Sequence, residues 1–139
     1  MSSLIQNVAS LPPTVGQRSE DIKTMFAGRI TATSSGAAQT LYTTGATVGI
    51  SGSITTRALL RSIRMMNLDS STQQLSLYIV PAGQSIGDDY RVTPVMDIAA
   101  NTVYHETGVE EVVEPGSTIQ AYASTTNVIV VRLTGSIYQ

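Results

Sequence analysis

The clearest hydrophobic pattern in the chain has a period of two. In QLSLYIVPAG (74–83), Leu75, Leu77 and Ile79 alternate with Ser76, Tyr78 and Val80. Successive side chains of a strand point to opposite faces, so this segment predicts a β-strand. Pro81 ends it, because proline has no amide to donate to a ladder. FAGRITATS (26–34), QTLYTTG (39–45) and TVGISG (47–52) are shorter runs of the same kind, closed by glycine or by Ser35-Gly36. Residues 91–116 read as several short strands, with turns near Ala100-Asn101, Gly108 and Pro115-Gly116. STIQAYAST (117–125) and NVIVVRLTGSIY (127–138) predict a hairpin around Thr125-Thr126-Asn127. Val128 to Val131 are adjacent and β-branched, so that last run needs cover on both faces, inside a sandwich or at a subunit seam. Arg132, its one charge, belongs at a wet edge or opposite an acid, and Tyr138 and Gln139 are expected to be ordered.

One segment breaks the pattern. In TTRALLRSIRMMNLD (55–69), Arg57, Arg61 and Arg64 fall at i, i+4 and i+7, and Leu59, Ile63 and Met66 repeat the spacing. Taken locally, this is an amphipathic helix built from good helix formers. A strand sorts the same residues badly, with arginines and apolar residues on one face.

Residues 1–25 differ from the rest of the chain. Leu4, Ile5, Val8 and Leu11 are scattered apolar positions, and Pro12-Pro13 blocks regular structure. The segment predicts an extended N-terminal arm, too apolar to favour full disorder and suited to docking on a neighbour. It lacks the basic start and long apolar core of a secretory signal. Residues 26–139 then form one domain. Short strands with turns every 8–12 residues make that domain all-β, an antiparallel β-sandwich or jelly roll.

Composition sharpens this picture. Charged residues are 13% of the 139-residue chain, against about 25% in an average protein. Eighteen Thr and sixteen Ser take their place. Such a surface suits a protein that lies against other proteins. With no cysteine, disulfides and thiolate metal sites are excluded. No stretch approaches the roughly 18 apolar residues of a membrane span, so no membrane partner is expected. The net charge of −2 argues against nucleic acid, which needs a basic stripe. Charge is unevenly spread: residues 1–68 carry a net +4 and residues 69–139 a net −6. Either the halves interleave and cancel, or they mark complementary subunit surfaces. Seven of the eight basic residues are arginine, the cation enriched at protein interfaces.

Catalytic chemistry finds little footing. His105, the one histidine, sits beside Glu106, but no GxSxG and no cysteine supplies a nucleophile. Asp88-Asp89 and Glu110, Glu111 and Glu114 lack the dense spacing of a calcium loop. Phosphate-cradling glycine motifs are missing, and one Phe with no Trp makes a poor sugar platform. The expectation is a non-enzyme without cofactor or metal.

The order of short motifs does resemble something. QTLYTT, RSIRMMN, the polar turn LDSSTQ, SLYIVPAG, IAANTVYHETG and VEPGSTIQAYASTTNVIVVRLTGSIY succeed one another over residues 37–139. The order is similar to that in small β-rich virion proteins of tailed bacteriophages. The resemblance implies a β-sandwich or jelly roll in which RSIRMMN is a strand, against the local helix pattern. It implies a structural role: decorating the capsid as a cement protein bound to the major capsid protein, or, alternatively, serving in the tail, baseplate or fibre in host attachment. The expected location is the capsid surface of the virion, after synthesis in the bacterial host cytoplasm. A homo-oligomer is expected, with a trimer suiting a shell's three-fold points. Candidate contact residues are Leu4, Ile5, Val8, Leu11, Arg18, Arg57, Arg61 and Arg64.

Overall fold

The computed structural model describes residues 20–49 and 52–138, and this part of the chain is almost entirely β. Ten strands form in chain order: β1 (Glu20–Arg29), β2 (Gln39–Thr43), β3 (Ala46–Gly49), β4 (Gly52–Thr55), β5 (Arg57–Asn67), β6 (Gln73–Val80), β7 (Met96–Ile98), β8 (Val103–Val113), β9 (Thr118–Ala123) and β10 (Ile129–Tyr138). β3 and β4 pair only with each other, as a hairpin inserted before β5. The other eight make two four-stranded antiparallel sheets. Sheet A has the order β1-β10-β5-β8 and sheet B the order β2-β9-β6-β7.

These orders have a simple logic. The first of the eight strands pairs with the last, β1 with β10, and the second with the seventh, β2 with β9. The third pairs with the sixth, β5 with β8, and the fourth with the fifth, β6 with β7. A long antiparallel ribbon has been rolled up so that successive pairs alternate between the sheets. β10–β5 and β9–β6 contacts then close each sheet. This is the double-sheet jelly roll.

Two expectations are corrected by this topology. β9 and β10 are not a hairpin: they lie in different sheets, and residues 124–128 carry the chain across. Asn127 turns it with φ of 65° and donates its amide to the Ile30 carbonyl. Gly108 does not end a strand either. At φ of 78° it sits inside β8, where Thr107 faces Ser62 and Glu111 faces Leu60. The residues between bulge out of the edge of sheet A. β1 begins at Glu20, so pairing starts within the segment that the sequence suggests as an arm. At the other end β10 runs to Tyr138, and Gln139 lies outside the described residues.

RSIRMMN is a strand, and its helix-like spacing has a local cause. In β5, Ser62 faces Thr134 and Leu60 faces Gly135, so Arg61 is an extra, unpaired position. A bulge of this kind shifts the alternation by one. Ala58 and Leu60 point inward before it, and Ile63, Met65 and Asn67 after it. Arg57 and Arg61 therefore share the outer face with Arg64, although their spacings are four and three.

The core fills the space between the sheets. Leu60, Ile63, Met65, Val131 and Leu133 from sheet A meet Leu75, Leu77, Ile119 and Ala121 from sheet B, all fully buried. Burying each large aliphatic side chain contributes about 1.5–3 kcal/mol. Asn67 is the one fully buried amide in this layer. It donates to the carbonyls of Ser71 and Ile98, both at 2.9 Å, and accepts from the Asp69 amide at 2.9 Å. It thus ties the end of β5 to the β5–β6 turn and to β7.

Candidate functional site

The two sheets treat their outer faces differently. On sheet B, the β6–β7 connection returns along the edge, where Val92 donates to the Leu77 carbonyl. The Arg91 guanidinium lies 4.8 Å from the Tyr78 ring centre, and Tyr122 stacks on the same ring at 6.0 Å. Asp88 accepts from Arg91 Nε at 2.9 Å and so holds it in place. Tyr78 is 2% exposed, and burial is the main reason its hydroxyl titrates above the ordinary tyrosine value.

Among the described residues, nothing of the kind covers sheet A. Four full rows of outward positions are read straight from the strand register across β1, β10, β5 and β8, and a fifth, Glu20, Tyr138 and Arg57, crosses the end of the first three strands. One row is Arg29, Val130, Met66 and Val103. The next is Ala27, Arg132, Arg64 and His105. Then come Thr24, Thr134, Ser62 and Thr107, and finally Ile22, Ser136, Leu59 and Val112. No carboxylate occupies any of these sixteen places. Ile22 is 74% exposed, Val103 48% and Val112 50%. Three of the five large hydrophobics that stand exposed among the described residues therefore lie on this one face.

The cations on the face are held at different strengths. Arg57 pairs with Glu114 at 2.8 Å in the open. Arg61 donates to Ser136 Oγ at 2.7 Å and to the Tyr138 hydroxyl at 3.1 Å. Arg132 reaches Thr24 Oγ1 only at 3.4 Å, beyond the usual range. A depression of about 190 Å³, lined by Ala27, Arg64, Met66, Val130, Val131 and Arg132, lies between the two opposed arginines.

Of the candidates named from sequence, Arg57, Arg61 and Arg64 come together on this face. Leu4, Ile5, Val8, Leu11 and Arg18 lie outside the described residues. Sequence reasoning missed Arg132 and His105 as neighbours of Arg64, because only non-local pairing puts them in one row. Arg132 faces another cation and not an acid. His105 and Glu106 point to opposite sides of β8, so the glutamate does not orient the histidine. Glu106 instead accepts from the Tyr104 hydroxyl at 3.2 Å, and burial followed by this bond raises the Tyr104 pKa. Among the described residues, no three histidines or acids are grouped to hold a metal.

The acids collect beside the cationic face. Glu106, Glu110 and Glu111 line a hollow of about 240 Å³ at the β8 bulge, with Thr93 and Val92 on its other wall. The two halves of the sequence interleave within sheet A, and Arg57 of the first meets Glu114 of the second at 2.8 Å, while Arg64 and Arg132 form no ion pair among the described residues.

The fold places the chain in the class of eight-stranded jelly rolls. No protein-family model matches it, and no curated protein matches it in sequence. Among solved structures it is similar to a chain of infectious bursal disease virus, Gx strain, at 10% identity and a TM-score of 0.45. That match covers 93% of this chain and 35% of the viral one. It is also similar to a chain of the cyanophage Pam1 capsid asymmetric unit, at 12% identity and a TM-score of 0.38, over 93% of this chain and 91% of that one. At such identities and scores a likeness does not carry function across.

Proposed function

We propose that this chain is a structural virion protein of a tailed bacteriophage, a capsid decoration (cement) protein that binds the assembled head and stabilises it. The observation that carries this reading is the outer face of sheet A, which no other described segment covers. A face of exposed valine and isoleucine with arginine and hydroxyl rows, whose four full rows hold no carboxylate, has the composition of a protein-contact surface. The motif order over residues 37–139 supplies the virion context. Jelly rolls also occur in lectins and cupins, so the fold alone does not choose.

The mechanism is mass action. A protein that binds the assembled shell and not its free subunits shifts the equilibrium toward the shell. A ring of copies that bridges several major capsid proteins adds avidity, and a trimer fits a three-fold point. Residues 1–19, with Leu4, Ile5, Val8 and Leu11, would reach the shell, while the face of sheet A meets neighbouring protein. Removing residues 1–19 should abolish binding to purified heads and leave the far-ultraviolet β spectrum unchanged. Normal head binding by the truncated chain would rule the arm out. Immunogold labelling of particles separates the head from the tail: label confined to the tail overturns the cement reading.

A further inference from the structure

We infer that the cationic face of sheet A docks into the acidic hollow at the β8 bulge of a second copy of this chain. The inference rests on the proposed function, in which copies assemble with one another, and names the two surfaces that meet.

The face offers Arg64 and Arg132, directly opposite each other across β5 and β10. Among the described residues neither has a carboxylate partner, and Arg64 has no hydrogen-bond acceptor. The hollow offers Glu110 and Glu111, which have no cationic partner among the described residues. It holds a second unmet group: Thr93 is 7% exposed, lines the hollow, and its Oγ1 has no hydrogen-bond partner among the described residues. A buried hydroxyl left unpaired is costly, and an entering guanidinium would supply the donor it lacks. A space of about 240 Å³ accommodates a guanidinium and part of its stem. Arginine's planar fork suits carboxylates in dry surroundings.

The geometry also fixes the kind of contact. Face and hollow are different surfaces of one molecule, so the contact is head-to-tail and not two-fold. Head-to-tail contacts close into rings when the rotation permits. The hollow lies on the edge strand of the very sheet whose face is to be covered. Each copy therefore presents its face roughly at right angles to the edge it offers the next, as a small ring requires.

The test uses the full chain in sedimentation velocity at low and high salt. The wild type should associate, more weakly at high salt. Arg64→Glu with Arg132→Glu, and separately Glu110→Arg with Glu111→Arg, should each raise the dissociation constant by about 100-fold or more. Combining all four reversals should restore association. If the arginine pair variant fails to fold, the glutamate pair, on an exposed bulge, carries the test alone. A wild type that stays monomeric overturns the inference, as do reversals that leave association unchanged or a fourfold variant that does not recover it. A monomer that still binds heads would sink this inference and leave the head-binding function standing. An oligomer indifferent to the reversals would sink only these surfaces.

Discussion

Arg64 and Arg132 stand directly opposite each other on neighbouring strands, with His105 next in the same row. Like charges directly opposed across a sheet are destabilising by about 0.2–1 kcal/mol. The lone domain is thus better off without one of them. Arg64→Thr, which keeps a good strand former in place, should raise the urea midpoint of the isolated chain, corresponding to a gain of about 0.2–1 kcal/mol in unfolding free energy. The same substitution should weaken contact with partner proteins. A midpoint that falls would show that the arginine stem serves packing and that the face is not built at a cost to the fold.

Gly135 on β10 leaves no room for a side chain beside β5. A Cβ there would collide with the Leu59 carbonyl oxygen and come within 2.8 Å of the Met25 Sδ. Backbone cannot step aside as a side chain does, so Gly135→Ala should cost about 3 kcal/mol. Gly83 gives the comparison: it has φ of 76° and open space around it, so Gly83→Ala suffers only backbone strain of about 1–2 kcal/mol. Urea denaturation of the two variants should keep that order.

Asn67 satisfies two carbonyls and one amide from a fully buried position. Asn67→Ala leaves those groups unpaired and opens a void. A loss of about 2–4 kcal/mol is expected. Equilibrium unfolding measures it, and a loss below about 1 kcal/mol would mean that the β5–β6 turn holds itself.

Asp69 ties the same turn through its carboxylate. Hydrogen bonds from the Ser71 hydroxyl, the Gln73 amide and the Ser70 backbone lower its pKa from the ordinary 3.8. A lowered folded pKa gives stability that is full above the unfolded value and is lost as pH falls through the folded one. The melting temperature of the wild type should therefore fall on acidification below about pH 4. Asp69→Asn should melt lower at neutral pH and show a shallower acid slope. Parallel acid slopes in the two proteins would remove Asp69 from the account.

Much of the fold was legible as alternation. β2, β6 and β9 sit where the turn-bounded strand runs put them, because each has a core side and a second side that differs from it. The last run, read as needing cover on both faces, instead buries Val131 and Leu133 and leaves Arg132 between them exposed. The 57–67 strand was hidden by the bulge at Arg61, which turns two stretches of period two into something close to a helical repeat. Only the motif order argued for a strand there. The supposed β9–β10 hairpin shows a different limit. A polar turn between two strands says that the chain bends, not which sheet it enters next. The candidate site divides the same way: the Arg57, Arg61 and Arg64 stripe is local and readable, but its row with Arg132 and His105 exists only once distant strands pair.

The position of β10 between β1 and β5 bears on how the molecule comes into being. Thr24 and Arg132 touch across 108 positions of sequence. Until β10 arrives, β1 has no partner in sheet A, and β5 shows a bare edge that carries Leu60, Ile63 and Met65. Closing so long a loop is entropically slow, and unpaired apolar edges invite other chains to pair with them. Each newly made chain thus passes through an interval in which its own missing strand can be supplied by a neighbour. Nascent-chain concentration and chaperone supply, more than final stability, should set the yield of folded protein.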